Sequence, residues 1–160
     1  MVSRHLIEII RGQFALDWYG IHGASHWARV RENGIRIATV TGADPRIVEL
    51  FAFLHDSKRV NDGTDWQHGA RAARFAASLR QNGQVTLSNE DLELLEYACT
   101  HHSNGMTDAP VTVQACWDAD RLDLGRVGIR PRAEYLCTAA AVDLIDWAYG
   151  RSIDWVRRRY

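Results

Sequence analysis

Histidine and aspartate side chains that could bind a metal are spread along the chain, close to points where helices are expected to begin or end. A neutral imidazole and a carboxylate are both good ligands for divalent transition metals, and several of them on separate helices can converge on one ion. A single His-Asp pair proves little, because a chain with seven histidines and many aspartates contains such pairs by chance. The order and surroundings of the candidates must supply the specificity. The candidates are His26, His55-Asp56, His68, His101-His102 and Asp120.

Helices must position these residues, because apolar residues recur along the chain at helical rather than alternating spacing. No Asn-Gly or Asp-Gly turn lies between alternating strands, so the sequence predicts an all-α fold. Six to eight helices with short loops would form a helical bundle, in which functional side chains project inward from facing helices. A chain of 160 residues is expected to form one domain over residues 1–160.

Capping signals divide the chain into helices. Asp44 and Pro45 are typical of a cap followed by the first helical position, and the helix that they start would deliver His55 and Asp56 at its end. Ser88 and Asp91 approximate a capping box. The other helices are predicted over about residues 4–18, 25–40 with Ser25 as the cap, 65–81, 111–122 and 133–148.

Composition excludes several classes of protein. Hydrophobic residues make up 46% of the chain and charged residues 24%, as in ordinary globular proteins. The formal net charge of −1 gives no global field that would recruit nucleic acid, so nucleic acid is not an expected partner. The charged N-terminus with a short apolar cluster predicts neither a signal peptide nor a membrane span, and a cytoplasmic location is the default expectation. Cys99, Cys116 and Cys137 lack Cys-x-x-Cys spacing and are expected to be buried thiols.

Three segments that contain candidate ligands occur in a characteristic order within residues 25–128, with His102-Ser103 between the second and the third. They are His26-Trp27-Ala28-Arg29-Val30, Phe51-Ala52-Phe53-Leu54-His55-Asp56 and Ala119-Asp120-Arg121-Leu122. This ordered set resembles the HD-domain superfamily of metal-dependent phosphohydrolases. The run from Asp118 to Asp123 is especially similar to bacterial members that act on nucleotides.

The resemblance implies that His26, His55, Asp56 and Asp120 are the primary metal ligands. It also implies hydrolysis of a phosphate ester or anhydride of a small molecule, with a nucleotide as the favoured substrate. Asp56 would both bind the metal and orient the attacking water. Histidine and carboxylate ligands are compatible with manganese, iron, cobalt, nickel or zinc, so the sequence does not select one of these metals. The sequence contains no Gly-rich phosphate loop, and no bound nucleotide cofactor is expected.

Some family members hold a second metal through additional histidines, and His68 and His102 are placed for that role. His68 departs from the pattern of the cyclic-dinucleotide phosphodiesterase branch, because Gly69 follows it directly. His101 is expected on the helix surface, since adjacent helical residues point about 100° apart. No specific role is expected for His5 or His22.

Cations near the His-Asp pair could bind the substrate. Lys58 and Arg59 follow the pair where the family commonly has Gly-Lys, and either could neutralise phosphate charge in the transition state. Alternatively, Lys58 and Arg59 could be solvated cations on a loop, with no part in substrate binding. Arg29, Arg121 and Arg130 are further phosphate-binding candidates, because a guanidinium matches a phosphate group bidentately.

Three tryptophans lie next to the proposed ligands and could stack on a base. Burial of Trp27, Trp66 and Trp117 as core aromatics is the favoured interpretation.

Three alternative functions remain open at this level. They are a non-catalytic metal or nucleotide sensor with the same ligands, a di-iron oxygenase on the same scaffold, and a nuclease that acts on single strands. Turnover separates the enzyme from the sensor, and dependence on dioxygen identifies the oxygenase. A steep fall of activity with salt would identify the nuclease.

Overall fold

The computed structural model describes residues 2–159, and within this range every regular element is helical. The predicted all-α fold class is confirmed. Within residues 2–159, no helix combines the length and the apolar character needed to cross a membrane. The elements are α1 (Arg4–Gln13), α2 (Ala24–Thr41), α3 (Pro45–Leu54), α4 (His68–Gln81), α5 (Asn89–His101), α6 (Val111–Arg121), two short 3-10 helices (Leu124–Val127 and Ala133–Tyr135), α7 (Ala139–Asp143) and α8 (Ile145–Arg159).

Two predicted helix starts are confirmed by their caps. The Asp44 carboxylate accepts a hydrogen bond from the backbone N–H of Arg46, and Pro45 occupies the first turn of α3. Ser88 and Asp91 form a reciprocal capping box at the start of α5. Both caps satisfy backbone N–H groups that have no partner inside the helix.

Helix α2 lies at the centre of the bundle, where it packs against α3 and α6. Gly34 makes this close packing possible, because a Cβ atom at this position would lie 2.4 Å from Cγ1 of Val48 on α3 and 3.3 Å from Cβ of Ala119 on α6. Val48 and Ala119 are fully buried. The three helices that carry the candidate ligands are therefore held together at a glycine contact.

Replacement of Gly34 by alanine is expected to destabilise the fold by about 1–3 kcal/mol, because a branched and fully buried neighbour must move to admit the new methyl group. Gly12 on α1 is the matched control, since an added Cβ atom there meets nothing within 4 Å. Gly12→Ala should stabilise the protein by up to about 1 kcal/mol through helix propensity alone. Urea denaturation at equilibrium measures both changes, and equal stability of the two variants would contradict the close contact.

The structure corrects several predicted helix bounds. Helix α1 ends at Gln13 instead of continuing to residue 18, and α4 begins at His68 instead of residue 65. Gly23, not Ser25, precedes α2, because the chain there passes so close to the Trp18 carbonyl that a Cβ atom would lie 2.2 Å from its oxygen.

The predicted last helix over residues 133–148 is wrong, since a 3-10 turn, α7 and α8 divide this region. The Asp118 carboxylate causes the break. It accepts hydrogen bonds from the backbone N–H groups of Cys137 and Thr138, at 2.7 and 2.9 Å, and from the Thr138 hydroxyl. These bonds hold Thr138 in an extended conformation that no continuous helix allows.

Candidate metal centre

Three helix ends bring the four proposed primary ligands together. His26 lies in the first turn of α2, His55 and Asp56 directly follow α3, and Asp120 lies in the last turn of α6. Both imidazole rings are fully buried, Asp56 is 2% exposed, and the side chain of Asp120 is 15% exposed. The ends of these apolar helices therefore carry a buried group of charged and polar atoms.

The distances between these atoms fit a metal site. Nε2 of His26 lies 3.1 Å from Nε2 of His55, 3.6 Å from Oδ2 of Asp56 and 3.4 Å from Oδ1 of Asp120. Nε2 of His55 lies 3.7 Å from each of the same two carboxylate oxygens. Ligand atoms about 2.0–2.2 Å from one transition-metal ion are separated from one another by about 3.0–3.5 Å. Two of the five separations fall in this range and three are slightly longer, so the two imidazoles with either carboxylate are spaced nearly as the ligands of one ion would be.

Hydrogen bonds fix the tautomers of His26 and His55. Nδ1 of His26 lies 2.7 Å from Asp123 Oδ2, and Nδ1 of His55 lies 3.1 Å from the Phe51 carbonyl oxygen. Each Nδ1 therefore donates its proton, and burial lowers the pKa of both rings, that of His55 to about 3. In the neutral rings the two Nε2 lone pairs then face each other at 3.1 Å, which is favourable only with a cation between them.

Asp120 supplies a further indication of a cation. Its Oδ1 atom is inaccessible to solvent and accepts no hydrogen bond within the described residues. A buried carboxylate oxygen without a donor is costly unless a cation balances its charge. The same atom is one of the four that converge, so the residues present fit a divalent metal.

A second pair of imidazoles lies on the other side of Asp56. Nε2 of His68 and Nε2 of His102 are 2.9 Å apart, and they lie 3.4 and 3.7 Å from Asp56 Oδ1. Burial lowers the pKa of His68. Burial also acts to lower the pKa of His102, but the Asp56 carboxylate outweighs this effect and raises the pKa of His102. A proton on His102 can therefore lie between these two nitrogens. The geometry therefore requires a cation between His26 and His55, but not between His68 and His102.

His22 also contacts Asp56, although the sequence indicated no role for it. Its Nδ1 lies 2.9 Å from Asp56 Oδ2, and the ring is buried. Burial acts to raise the pKa of Asp56, but His55 and the hydrogen bonds from His102 and His22 hold it well below its usual range. Asp56 is thus an ionised carboxylate surrounded by imidazole rings. No sequence signal identified His22, because it lies outside the helix that carries His26.

Asp123 orients His26 through a hydrogen bond to its Nδ1 atom. Its carboxylate accepts hydrogen bonds from His26 Nδ1, from Nε and Nη2 of Arg29 at 2.6 and 3.0 Å, and from the Ser152 hydroxyl at 2.7 Å. A carboxylate that accepts the second ring proton of a ligating histidine holds the ring in place and raises the basicity of the other nitrogen. Asp123 lies in the motif run from Asp118 to Asp123, but the sequence alone indicated no role for it.

A cavity of about 520 Å³ opens beside the centre. Arg126 projects towards it, with Nε on the Ile21 carbonyl at 3.1 Å, Nη1 on the Asp123 carbonyl at 3.2 Å and Nη2 3.7 Å from Asp120 Oδ1. No sequence motif indicated a role for this arginine. The lining also includes Asp56, Arg59, His102, Ser103, Asp120, Leu124, Ile129, Tyr135 and Leu136.

Two of the predicted cations differ sharply in position. Arg59 is buried in the site, where its Nη1 atom lies 3.5 Å from Asp56 Oδ1 and 3.3 Å from His68 Nε2. Lys58 points away from it, because its ammonium group donates to Gln13 and lies 4.2 Å from the centre of the Phe75 ring. The structure therefore does not support the assignment of Lys58 to the phosphate site.

The other arginine candidates have structural partners. Arg29 binds Asp123, and Arg121 donates to the carbonyl groups of Tyr135 and Met106 at 2.9 and 2.6 Å. Arg130 lies at the exposed rim of the cavity and pairs with Asp146. Arg121 also lines the cavity, but Arg59 and Arg126 are the arginines that lie within ion-pair distance of Asp56 and Asp120 among the described residues.

The remaining aromatic and cysteine predictions have mixed outcomes. Trp27 and Trp117 are buried as expected, but Trp66 is 92% exposed, so its predicted burial is wrong. His101 lies half-buried beside Asn104, away from the centre. All three cysteines are free; Cys99 and Cys116 are buried, whereas Cys137 is only half-buried.

Comparison with known proteins yields one informative likeness. No family model matches the chain, and no curated protein matches it. Among solved structures, the chain is similar to a crystal structure described as a predicted HD superfamily hydrolase from an uncultured Thermotogales bacterium. The two are 27% identical, with a TM-score of 0.70 over 97% of this chain and 89% of that chain. The likeness therefore extends over nearly all of the helical bundle.

Proposed function

Because the chain belongs to the HD-domain superfamily, we propose that it is a metal-dependent phosphohydrolase that cleaves a phosphate ester or anhydride of a small molecule, with a nucleotide as the favoured substrate. One observation carries the proposal: the unprotonated Nε2 atoms of His26 and His55 face each other at 3.1 Å beside an Asp120 oxygen that accepts no hydrogen bond within the described residues. A site that demands a cation at the wall of an arginine-lined cavity is suited to a phosphate substrate.

His26, His55, Asp56 and Asp120 would hold the metal. A bound divalent metal would supply Lewis-acid polarisation of the phosphoryl group and an activated water. His68 and His102, together with the second oxygen of Asp56, form a second donor set that could hold another ion, since their ligand atoms also converge. Cysteine thiols take no part, so oxygen and nitrogen donors fit manganese, iron, cobalt, nickel or zinc.

The arginines of the site would bind the phosphate. Arg126 is fixed by two backbone carbonyls, so its guanidinium is already oriented towards the cavity. Arg59 lies beside Asp56, with Nη1 3.5 Å from Oδ1, and it lines the same cavity. These two positive charges would stabilise the negative charge that develops on the phosphoryl oxygens. The cavity volume lies within the range of about 300–1,000 Å³ that small-molecule sites occupy, and its apolar side chains suit the remainder of a nucleotide.

Metal-dependent release of phosphate tests this proposal. The protein is stripped with a chelator, reloaded separately with each of the five metals and incubated with nucleoside mono-, di- and triphosphates and with p-nitrophenyl phosphate. We expect turnover with at least one metal and its loss after chelation, because the activated water requires the ion. Stoichiometric metal binding without hydrolysis of any of these compounds would contradict the enzyme and favour a sensor with the same ligands.

A di-iron oxygenase is the second candidate, because the two oxygens of Asp56 lie between two pairs of imidazoles. Two irons, if these two donor sets held them, would supply dioxygen chemistry. Consumption of dioxygen by the iron-loaded protein, measured with an oxygen electrode, would favour this function. Undiminished phosphate release under anaerobic conditions would reject it.

A further inference from the structure

Trp66 is exposed beside the metal centre although tryptophan is costly to leave in water. All six tryptophans lie within residues 2–159, and the other five are buried or half-buried. Trp66 alone is 92% exposed. A tryptophan side chain carries about 150–250 Å² of largely apolar surface, so an exposed one near a candidate active site suggests a ligand contact.

The loop that carries Trp66 is fixed to the centre by its backbone. The carbonyl groups of residues 61, 62, 63 and 65 each lie within hydrogen-bond distance of a side chain of the site. Arg59 donates to two of them, Asn61 and Gly63, and the rings of His22 and His68 contact Asp62 and Asp65. The Asp65 carboxylate also accepts a hydrogen bond from the backbone N–H of Val60 at 3.0 Å. The exposed position of Trp66 is therefore set by the site and is not that of a free loop.

Trp66 borders a second cavity of about 290 Å³. This cavity shares Arg59, His102 and Ser103 with the larger one, so both open at the same part of the centre. A phosphoryl group bound near Arg59 could therefore extend its organic part over the smaller cavity. Thr64, Thr100 and Asn104 line the same cavity and can form hydrogen bonds with a polar heterocycle.

We propose that Trp66 is a specificity-determining residue that stacks on the aromatic base of the substrate. The inference rests on the proposed function, since it takes the phosphoryl group to be bound at the centre. An indole ring offers a flat surface to every base, so it would select for an aromatic group without selecting strongly among bases. Stacking of one base on an aromatic side chain changes affinity by about 5- to 150-fold.

Kinetic constants of three variants test the residue. For each protein the KM of the adenosine, guanosine, cytidine and uridine 5′-monophosphates is compared with that of ribose 5-phosphate, which has the same phosphoryl group and no base. In Trp66→Ala the ratio of the nucleotide KM to the ribose 5-phosphate KM should rise by about 5- to 150-fold. Trp66→Phe should restore part of the preference. Val40→Ala, at a residue that is 75% exposed and does not line either cavity, should leave the ratio unchanged.

Fluorescence supplies a readout that does not depend on turnover. Acrylamide quenches exposed tryptophans first, so the quenchable signal of the metal-loaded protein comes mainly from Trp66. Adenosine 5′-monophosphate should protect this signal, whereas ribose 5-phosphate should not, and Trp66→Ala should lack it. Nucleotide hydrolysis with an unchanged KM ratio in Trp66→Ala would overturn the inference and leave the phosphohydrolase intact. Protection without hydrolysis would support the stacking site and count against the enzyme; absence of protection by all four nucleotides would refute the stacking site.

Discussion

Replacement of Asp56 by alanine is expected to lower the proposed phosphohydrolase turnover by at least about 1,000-fold, because the substitution removes a proposed ligand that faces both imidazole pairs. One of its oxygens lies 3.6 and 3.7 Å from His26 and His55, and the other lies 3.4 and 3.7 Å from His68 and His102. No other described carboxylate contacts all four rings. The loss of this group should therefore weaken metal binding at either site and leave the imidazoles without their central anion.

Metal content and activity should be measured together on the purified variant. We expect less metal per chain in Asp56→Ala than in the unchanged protein, with retained helical circular dichroism. Asp154→Ala is the matched control, because Asp154 is an exposed aspartate on α8 outside the centre. Full activity of Asp56→Ala with a native spectrum would show that the proposed ligand set is wrong.

Local signals explain why much of the fold could be predicted. Helix α3 starts at Asp44-Pro45 and α5 at Ser88, because each cap is a short-range hydrogen bond between neighbours in the sequence. The order of the motifs also predicted which residues would meet, and the structure brings His26, His55, Asp56 and Asp120 within hydrogen-bond or ion-pair distance. Their role as metal ligands remains a prediction.

Long-range contacts explain what the sequence could not predict. The break in the last predicted helix depends on Asp118, which lies 19 and 20 positions before the two residues that it binds. His22 reaches Asp56 across 34 positions, from a turn rather than a helix. Arg126 faces the centre because Gly125 allows close contact with α8, where a Cβ atom would lie 2.7 Å from Cβ of Ser152. None of these contacts leaves a local pattern.

The exposure of Trp66 has a similar origin. Its residue type favoured burial, since tryptophan is mostly buried on average. The loop from residue 60 to residue 67 instead directs its carbonyl groups towards Arg59, His22 and His68, so the backbone faces the site and the indole lies outside. The hydrogen bonds between the loop backbone and the side chains of the site therefore outweigh the gain from burying one indole ring.

The second large effect is expected at Asp123, whose replacement by alanine should destabilise the fold by about 3–5 kcal/mol. Asp123 is fully buried and neutralises the buried guanidinium of Arg29, with N–O distances of 2.6 and 3.0 Å. Removal of one partner of a buried ion pair leaves the other charge uncompensated, which costs far more than the loss of an exposed pair. Glu134→Ala is the control, because it breaks an ion pair with Arg132 that lies at the surface and should change stability by less than about 1 kcal/mol.

Asparagine at the same position tests the role of Asp123 at the metal in a variant that retains the side-chain shape. Asp123→Asn keeps the shape and can still accept the proton of His26 Nδ1, but it loses the negative charge that makes Nε2 a stronger ligand. We therefore expect metal affinity to fall by about 10- to 100-fold in the variant, with His55 and Asp56 unchanged. Calorimetric titration with the metal measures this affinity, and urea denaturation measures the stability. Wild-type metal affinity in a folded Asp123→Asn variant would mean that His26 does not act as a ligand whose orientation and basicity depend on Asp123.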